Sequence, residues 1–138
     1  MEDLSLHILD IAENAITAEA SKIEIYITDD HEKGFQTIEI IDNGTGMDKD
    51  TVKKALDPFF STRNKKIGLG IPLFAQAAKE AGGSLEIESV YKRGTKITAI
   101  FKLDHIDKKP LGDIDETIRV LKASHPEVAF KYEYIVRP

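Results

Sequence analysis

Between Leu4 and Ala20 the apolar residues Leu4, Ile8, Ile11, Ala12, Ala15 and Ile16 recur at spacings of three and four. At Ser21 the period changes to two, with Ile23, Ile25 and Ile27 alternating against Glu24, Tyr26 and Thr28. The first spacing lines up side chains along one stripe of a helix, and the second sets them on one face of a strand. A chain that opens this way has an apolar stripe and an apolar sheet face to bury, which directs it toward helices layered on a sheet.

The same two periods organise the rest. The polar stretch 30–34 reads as a hairpin loop, and Gln36 to Ile41 as a second strand ending at Asp42. Asp48 to Leu56 reads as a short helix stopped by Asp57-Pro58, and the next dozen residues as loop. Leu69 to Ala81 is again helical, with Pro72 in the tolerated first turn, an apolar side of Leu73, Phe74, Ala77, Ala78 and Ala81, and Gly82-Gly83 as the stop. Leu85 to Tyr91 and Lys96 to Leu103 alternate across Lys92-Arg93-Gly94 and predict another hairpin. A core domain over 1–103 is expected. The remainder, 104–138, reads as a helix–strand extension on the same domain, with a helix from Asp113 to Ala123 and alternation over Val128, Phe130, Tyr132, Tyr134 and Val136. That aromatic strand would add a layer of core, extend the sheet, or make a homodimer contact.

Composition narrows the function classes. The net charge of −5 argues against nucleic-acid binding, which relies on clustered cations. The absence of cysteine removes disulfides, thiolate zinc sites and iron–sulfur ligation. The acidic start MEDLSLHILDIAENA is unlike a secretion signal, and no apolar run approaches the roughly 20 residues of a membrane span, so a cytoplasmic protein is expected.

Three constellations carry chemistry. Asp10 and Asn14 stand four apart on one helix, in a polar stripe shared with Asp3, His7 and Thr17. Taken alone, that stripe is more simply a solvated face. In IDNGTGMD, residues 41–48, a carboxylate ends a strand and two glycines follow, so the backbone can approach a flat ligand while Asp42 accepts from an amino group. A plain Asn-Gly turn explains the bare pattern equally well. In KIGLGIPLFAQAAKEAGG, residues 66–83, a glycine pair opens into a helix, where unpaired N–H groups favour phosphate, although such pairs are common.

Their order is more specific than any one of them. An Asn-bearing helix, a strand ending in Asp-x-Gly-x-Gly, DPFFSTR, and a Gly-x-Gly opening a helix together resemble the ATP-binding domain of gyrase, histidine kinases and mismatch-repair ATPases, the GHKL or Bergerat family. DIAENAITA resembles its N box, IDNGTGMD and GLGIPLFAQAAKEAGG its glycine boxes, DPFFST its phenylalanine box, and SVYKRGTKITAIFKL its closing hairpin. The resemblance covers about 4–103. It implies an α/β, two-layer α+β sandwich: a mixed, largely antiparallel sheet with helices on one face and ATP on the helical side. It implies ATP and Mg²⁺ as cofactors, with Asn14 on the metal, Asp42 on the adenine amine, Gly44 and Gly46 admitting the ring, and Thr95 in the water network beside the base. Gly68 and Gly70 would touch phosphate. Met47, Phe60 and Leu69, which sit in the same boxes, and Lys66, with Arg63 and Lys65 beside it, complete the expected binding set.

Two departures matter. Where the family has Glu or Asn, Asp10 stands four residues before the metal-binding Asn, and it is the expected catalytic carboxylate. Lys66 stands where many relatives have glycine. His7 lies outside any His-Glu kinase motif and is expected to be structural or solvent-facing, so a phosphoacceptor is expected on a separate, unidentified protein partner. The leading expectation is a histidine-kinase-type ATPase or kinase domain, similar in outline to anti-sigma-factor serine kinases. The alternative is a non-catalytic module that senses ATP through a lid spanning 47–67. An ATP-driven clamp is disfavoured, because only about 35 residues follow Leu103, fewer than a typical domain of 50 or more.

Overall fold

The computed structural model describes residues 3–57 and 70–138. Among these residues five strands form one sheet: β1 (Lys22–Asp30), β2 (Phe35–Asp42), β3 (Ser84–Val90), β4 (Gly94–Lys102) and β5 (Ala129–Arg137). Their order is β3-β4-β2-β1-β5, antiparallel throughout except where β5 runs parallel to β1. Among the described residues the helices are α1 (Leu4–Thr17), α2 (Lys49–Ala55), α3 (Gly70–Glu80) and α4 (Ile114–Ser124). The expected mixed, largely antiparallel sheet with helices on one face is borne out.

The alternation works as the strand period requires. Ile23, Ile25, Ile27, Ile38, Ile40, Ile97, Ala99 and Phe101 are buried on the helix side, against Leu4, Ile8 and Ile11 of α1, Phe74, Ala77 and Ala78 of α3, and Ile118 and Leu121 of α4. The opposite face carries polar residues, including the Lys96–Glu39 pair at 3.3 Å and the Lys22–Glu24 pair at 3.6 Å. Exposed ion pairs of this sort contribute little, so the sheet is held from its helix side.

Helix ends are set by contacts as well as by sequence. The first-turn N–H groups of α1 are satisfied from outside, Leu4 N donating to Pro110 O and Ser5 N to Leu111 O, both at 2.9 Å. At its other end α1 stops at Thr17, short of Ala20, because Glu19 turns into the left-handed region at φ 67° and Ala20 N closes on Ala15 O at 3.0 Å. Asp48 and Asp113, read as the first residues of two helices, instead cap them, accepting from Thr51 N at 2.8 Å and Glu116 N at 3.0 Å.

His7 corrects the reading of α1. It belongs to the apolar side and not to the polar stripe: it is buried, with its ring 5.9 Å from that of Phe74, which lies 5.7 Å from Phe101. A helix packed against both a sheet and a neighbouring helix presents a wider buried arc than the minimal stripe.

The segment beyond Leu103 is tied into the same sheet. His125, at the end of α4, meets Glu13 of α1 at 3.0 Å. Near the far end of β5 the Tyr134 hydroxyl donates to the buried Asp29 carboxylate, which also accepts from Gln36 Nε2 at 2.7 Å. Burial first, and then the neighbouring carboxylate, push the Tyr134 phenol up to about 12, so it remains a donor at physiological pH.

Candidate functional site

One cavity of about 460 Å³ opens where α1, the end of β2, the following turn, α2, the start of α3 and β4 converge. Ile11, Ala15, Ala18, Ile71 and Ile97 give it apolar walls, and Asn14, Asp42, Thr45 and Thr95 place polar groups among them. Apolar walls with a few placed polar groups suit a flat, partly polar ligand. A larger and more open depression of about 700 Å³ adjoins it through Asp42 and Thr95, lined on its other side by Lys49, Lys53, Arg93 and Lys96.

Asp42 is the electrostatic centre. Register places it opposite Thr95 on β4. Its Oδ1 accepts from Gly44 N at 2.8 Å. Burial raises its carboxyl pKa above the ordinary 3.8, against the opposing pull of the Gly44 and Thr95 amides. A carboxylate offers about four lone-pair positions, so these two bonds leave it able to accept from a ligand.

The turn after Asp42 is fastened on three sides. Asn43 Oδ1 accepts from Ser21 N at 2.9 Å and Lys22 N at 3.0 Å, and its Nδ2 donates to Ser21 Oγ at 2.9 Å. Thr45 donates through both its amide and its hydroxyl to Ala18 O at the end of α1, each at 2.8 Å. On the hairpin side Met47 N donates to Ser89 Oγ at 2.7 Å, and Lys92 N donates to Thr45 O. Ser89 Oγ also lies 2.8 Å from Thr95 Oγ1 and 3.1 Å from Gly94 O. One serine thus joins the glycine turn to the threonine on the cavity wall.

The glycines answer to this crowding. A Cβ on Gly44 would lie 2.8 Å from Ala18 O, and on Gly46 (φ 73°) it would lie 2.1 Å from Val90 O. Backbone from α1 and from the β3–β4 hairpin fills the space that side chains would need. At Gly70, the first residue of α3, a Cβ would stand 2.9 Å from Asp10 Cβ, so this glycine lets α3 close on α1.

The structure brings Asn14, Asp42, Gly46, Met47 and Thr95 together on one cavity wall. Gly44 stands one step back in the turn, and Asp10 is exposed beside Gly70 without lining the cavity. Phe60, Arg63, Lys65, Lys66, Gly68 and Leu69 lie outside the described residues. Sequence reading missed Asn43, Thr45 and Ser89. The signal for Ser89 was a single polar residue in the inward series Leu85, Ile87, Ser89. Ser89→Ala strands the Met47 amide, and is expected to lower the unfolding free energy by about 1 kcal/mol in urea titrations.

Comparison with known proteins gives a consistent result. Residues 2–105 match the family model described as "Histidine kinase-, DNA gyrase B-, and HSP90-like ATPase". The chain is 30% identical over 95 residues to sporulation kinase C of Bacillus subtilis, covering 69% of this chain and 22% of that protein. It is 33% identical over 98 residues to the signal transduction histidine-protein kinase AtoS of Escherichia coli, covering 70% of this chain and 16% of that one. The chain therefore spans less than a quarter of these relatives. Among solved structures, the Aquifex aeolicus MutL ATPase domain complexed with ADP aligns with 96% of this chain and 60% of its own, at a TM-score of 0.56 and 18% identity, which is a likeness of fold.

Proposed function

Because the chain belongs to the histidine kinase-, DNA gyrase B- and HSP90-like ATPase family, and its relatives include sensor histidine kinases, we propose that it binds Mg-ATP in the α1–β2–β4 cavity and acts on a separate protein. The observation that carries this reading is the meeting of Asn14, Asp42, Gly46, Met47 and Thr95 around one cavity of about 460 Å³.

In this reading the adenine amine donates to the Asp42 carboxylate, and the ring lies against Ala15, Met47 and Ile97. Thr95, fixed by Ser89, holds the water beside the base. The triphosphate runs toward the start of α3. Asn14 faces it through its amide oxygen, and Gly68, Leu69 and Gly70 supply backbone N–H groups. Gly70 also keeps α3 close to Asp10, which orients the acceptor or takes its proton.

Among the described residues no three acidic or histidine side chains converge. Asn14, on the cavity wall, offers an amide oxygen of the kind a hard cation takes together with phosphate and water. Bound there, Mg²⁺ would neutralise charge on the phosphates. Among the described residues no helix is long and apolar enough to cross a membrane, and we place the activity in the cytoplasm, where ATP is supplied.

The position of Asp10, exposed and off the cavity wall, favours a second reading in which ATP is sensed without transfer. Calorimetry with Mg-ATP, followed by incubation with γ-labelled ATP and host protein, tests both. Saturable binding with label transferred or released supports the kinase or ATPase, and binding alone supports the sensor. No heat of association with ATP or ADP would end both.

A further inference from the structure

β5 is the outer strand on one side of the sheet, paired with β1 from Lys22↔Ala129 to Asp30↔Arg137. Its other edge meets no strand among the described residues. The ladder fixes which groups face outward. Ala129 N donates to Ser21 O at 2.9 Å, and Arg137 O accepts from His31 N at 2.8 Å. Odd-numbered residues therefore turn their N–H and C=O groups to β1, while Phe130, Tyr132, Tyr134 and Val136 turn theirs to the open edge. The strand has nine residues, with no proline or glycine to interrupt it. Tyr134, Ile135 and Val136 are 42%, 41% and 57% exposed. Such an edge is a template for another strand.

The sequence of the edge specifies which strand. Lys131 and Glu133 are both exposed and lie on the same face, with the Lys131 ammonium 5.8 Å from the Tyr26 ring. They flank Tyr132 symmetrically, as Phe130 and Tyr134 do on the helix side. We infer that β5 pairs antiparallel with β5 of a second copy of this chain, about a two-fold axis at Tyr132, to form a continuous sheet across a homodimer.

Hydrogen bonding requires outward-facing even residues to oppose even residues, which leaves a short series of registers. Centring on Lys131 sets Lys131 against its own copy, and centring on Glu133 sets Glu133 against its own copy. Centring on Tyr134 sets Lys131 against Arg137, and centring on Ile135 sets Glu133 against Arg137 but overlaps the strands only over 133–137, against 129–135 about Tyr132. Of these, only the Tyr132 register sets Lys131 opposite Glu133 of the second copy, twice by symmetry. It also stacks Phe130 against Tyr134 across the join. Opposite charges and aromatic pairs directly across strands stabilise a sheet, and like charges there oppose it. An antiparallel join closes on itself as a two-fold dimer, whereas parallel addition would leave another open edge.

This surface lies outside 2–105, the part of the chain matched by the family model, and β1 separates it from β2, which carries Asp42. It is an addition to the nucleotide domain, independent of the cavity.

Sedimentation equilibrium of the wild-type chain, K131E, E133K and K131E/E133K tests the register. The wild type should be dimeric at micromolar concentration. Each single reversal should weaken association by about tenfold or more, because the two-fold axis counts it twice. The double reversal should restore it. All three variants change exposed residues and should keep the wild-type circular dichroism spectrum. Amide exchange supplies a second measure: Phe130, Tyr132 and Tyr134 N–H groups should become more protected as concentration rises, while those of Lys131 and Glu133, already bonded to β1, should not change. A monomer at every concentration, a dimer indifferent to the single reversals, or a double reversal that fails to recover would overturn the inference.

Discussion

Asp42→Asn is expected to weaken ATP binding by about 10- to 100-fold while raising the thermal midpoint of the empty protein. The loss follows from what the carboxylate offers. Hydrogen bonds to a charged acceptor contribute about 1.5–3 kcal/mol, which is about one to two orders of magnitude in affinity. An Asn that keeps its oxygen on Gly44 N would turn an NH₂ toward the adenine amine, donor against donor. The gain in stability follows from the sign of the shift. Burial raises the Asp42 pKa above 3.8 and outweighs the Gly44 and Thr95 amides. The folded state therefore holds its proton more tightly than the unfolded chain does. The contribution of Asp42 to stability is full below its unfolded value and is lost as pH rises through the folded value, so near neutrality the empty fold carries a cost that Asn removes. ATP affinity should run the opposite way with pH, falling as acid protonates Asp42 at a value above 3.8, and this pH dependence should vanish in the variant. Calorimetry across the acid range and thermal melts measure both. Unchanged affinity would remove Asp42 from the site, and a lowered melt would mean that its charge supports the fold.

The opposition between a group's cost to the fold and its value to a ligand also explains what sequence reading could and could not find. Asp42 and Gly46 were legible because the chemistry is local: a carboxylate and two glycines within five residues announce a special turn. Ser89 was not, because its work depends on register. Only when Ser89 pairs with Thr95, and the turn after Asp42 folds over that pair, does its hydroxyl meet Met47 N. Gly44 and Gly70 were found for a different reason from the one the structure gives. Sequence suggested that Gly44 admits a ring and that Gly70 touches phosphate; the structure adds that the nearest neighbours at those positions are Ala18 O and Asp10 Cβ, contacts between segments far apart in the chain. The same limit applied to the fold. Alternation located every strand among the described residues, but that β5 lies parallel to β1 is a choice among edges that no local pattern encodes. His7 is the clearest case, since its burial depends on Phe74 arriving from α3.

Gly46→Ala should cost about 3 kcal/mol in unfolding free energy, with loss of measurable ATP binding. Two costs combine. At φ 73° an L-residue is strained by about 1–2 kcal/mol. The added Cβ would also lie 2.1 Å from Val90 O and 3.0 Å from Gly94 O, both backbone atoms that no rotamer change can move aside. Nor can the hairpin retreat as a unit, because β4 is held to β2 by the ladder that pairs Thr95 with Asp42 and Lys96 with Ile41. The turn must therefore lift, breaking the Met47–Ser89 and Thr45–Lys92 bonds and withdrawing Gly46 and Met47 from the cavity wall. Gly34→Ala separates the two costs. Gly34 has nearly the same conformation, φ 80°, with no atom within 4 Å of its Cβ position, so that variant should lose only the conformational part, about 1 kcal/mol, and bind ATP normally. Denaturant unfolding of the pair, with calorimetry at a concentration where both remain folded, decides the matter. Equal losses would mean that the close approach between turn and hairpin does not exist in solution, and the cavity would lose the wall that sets Thr95 beside Asp42.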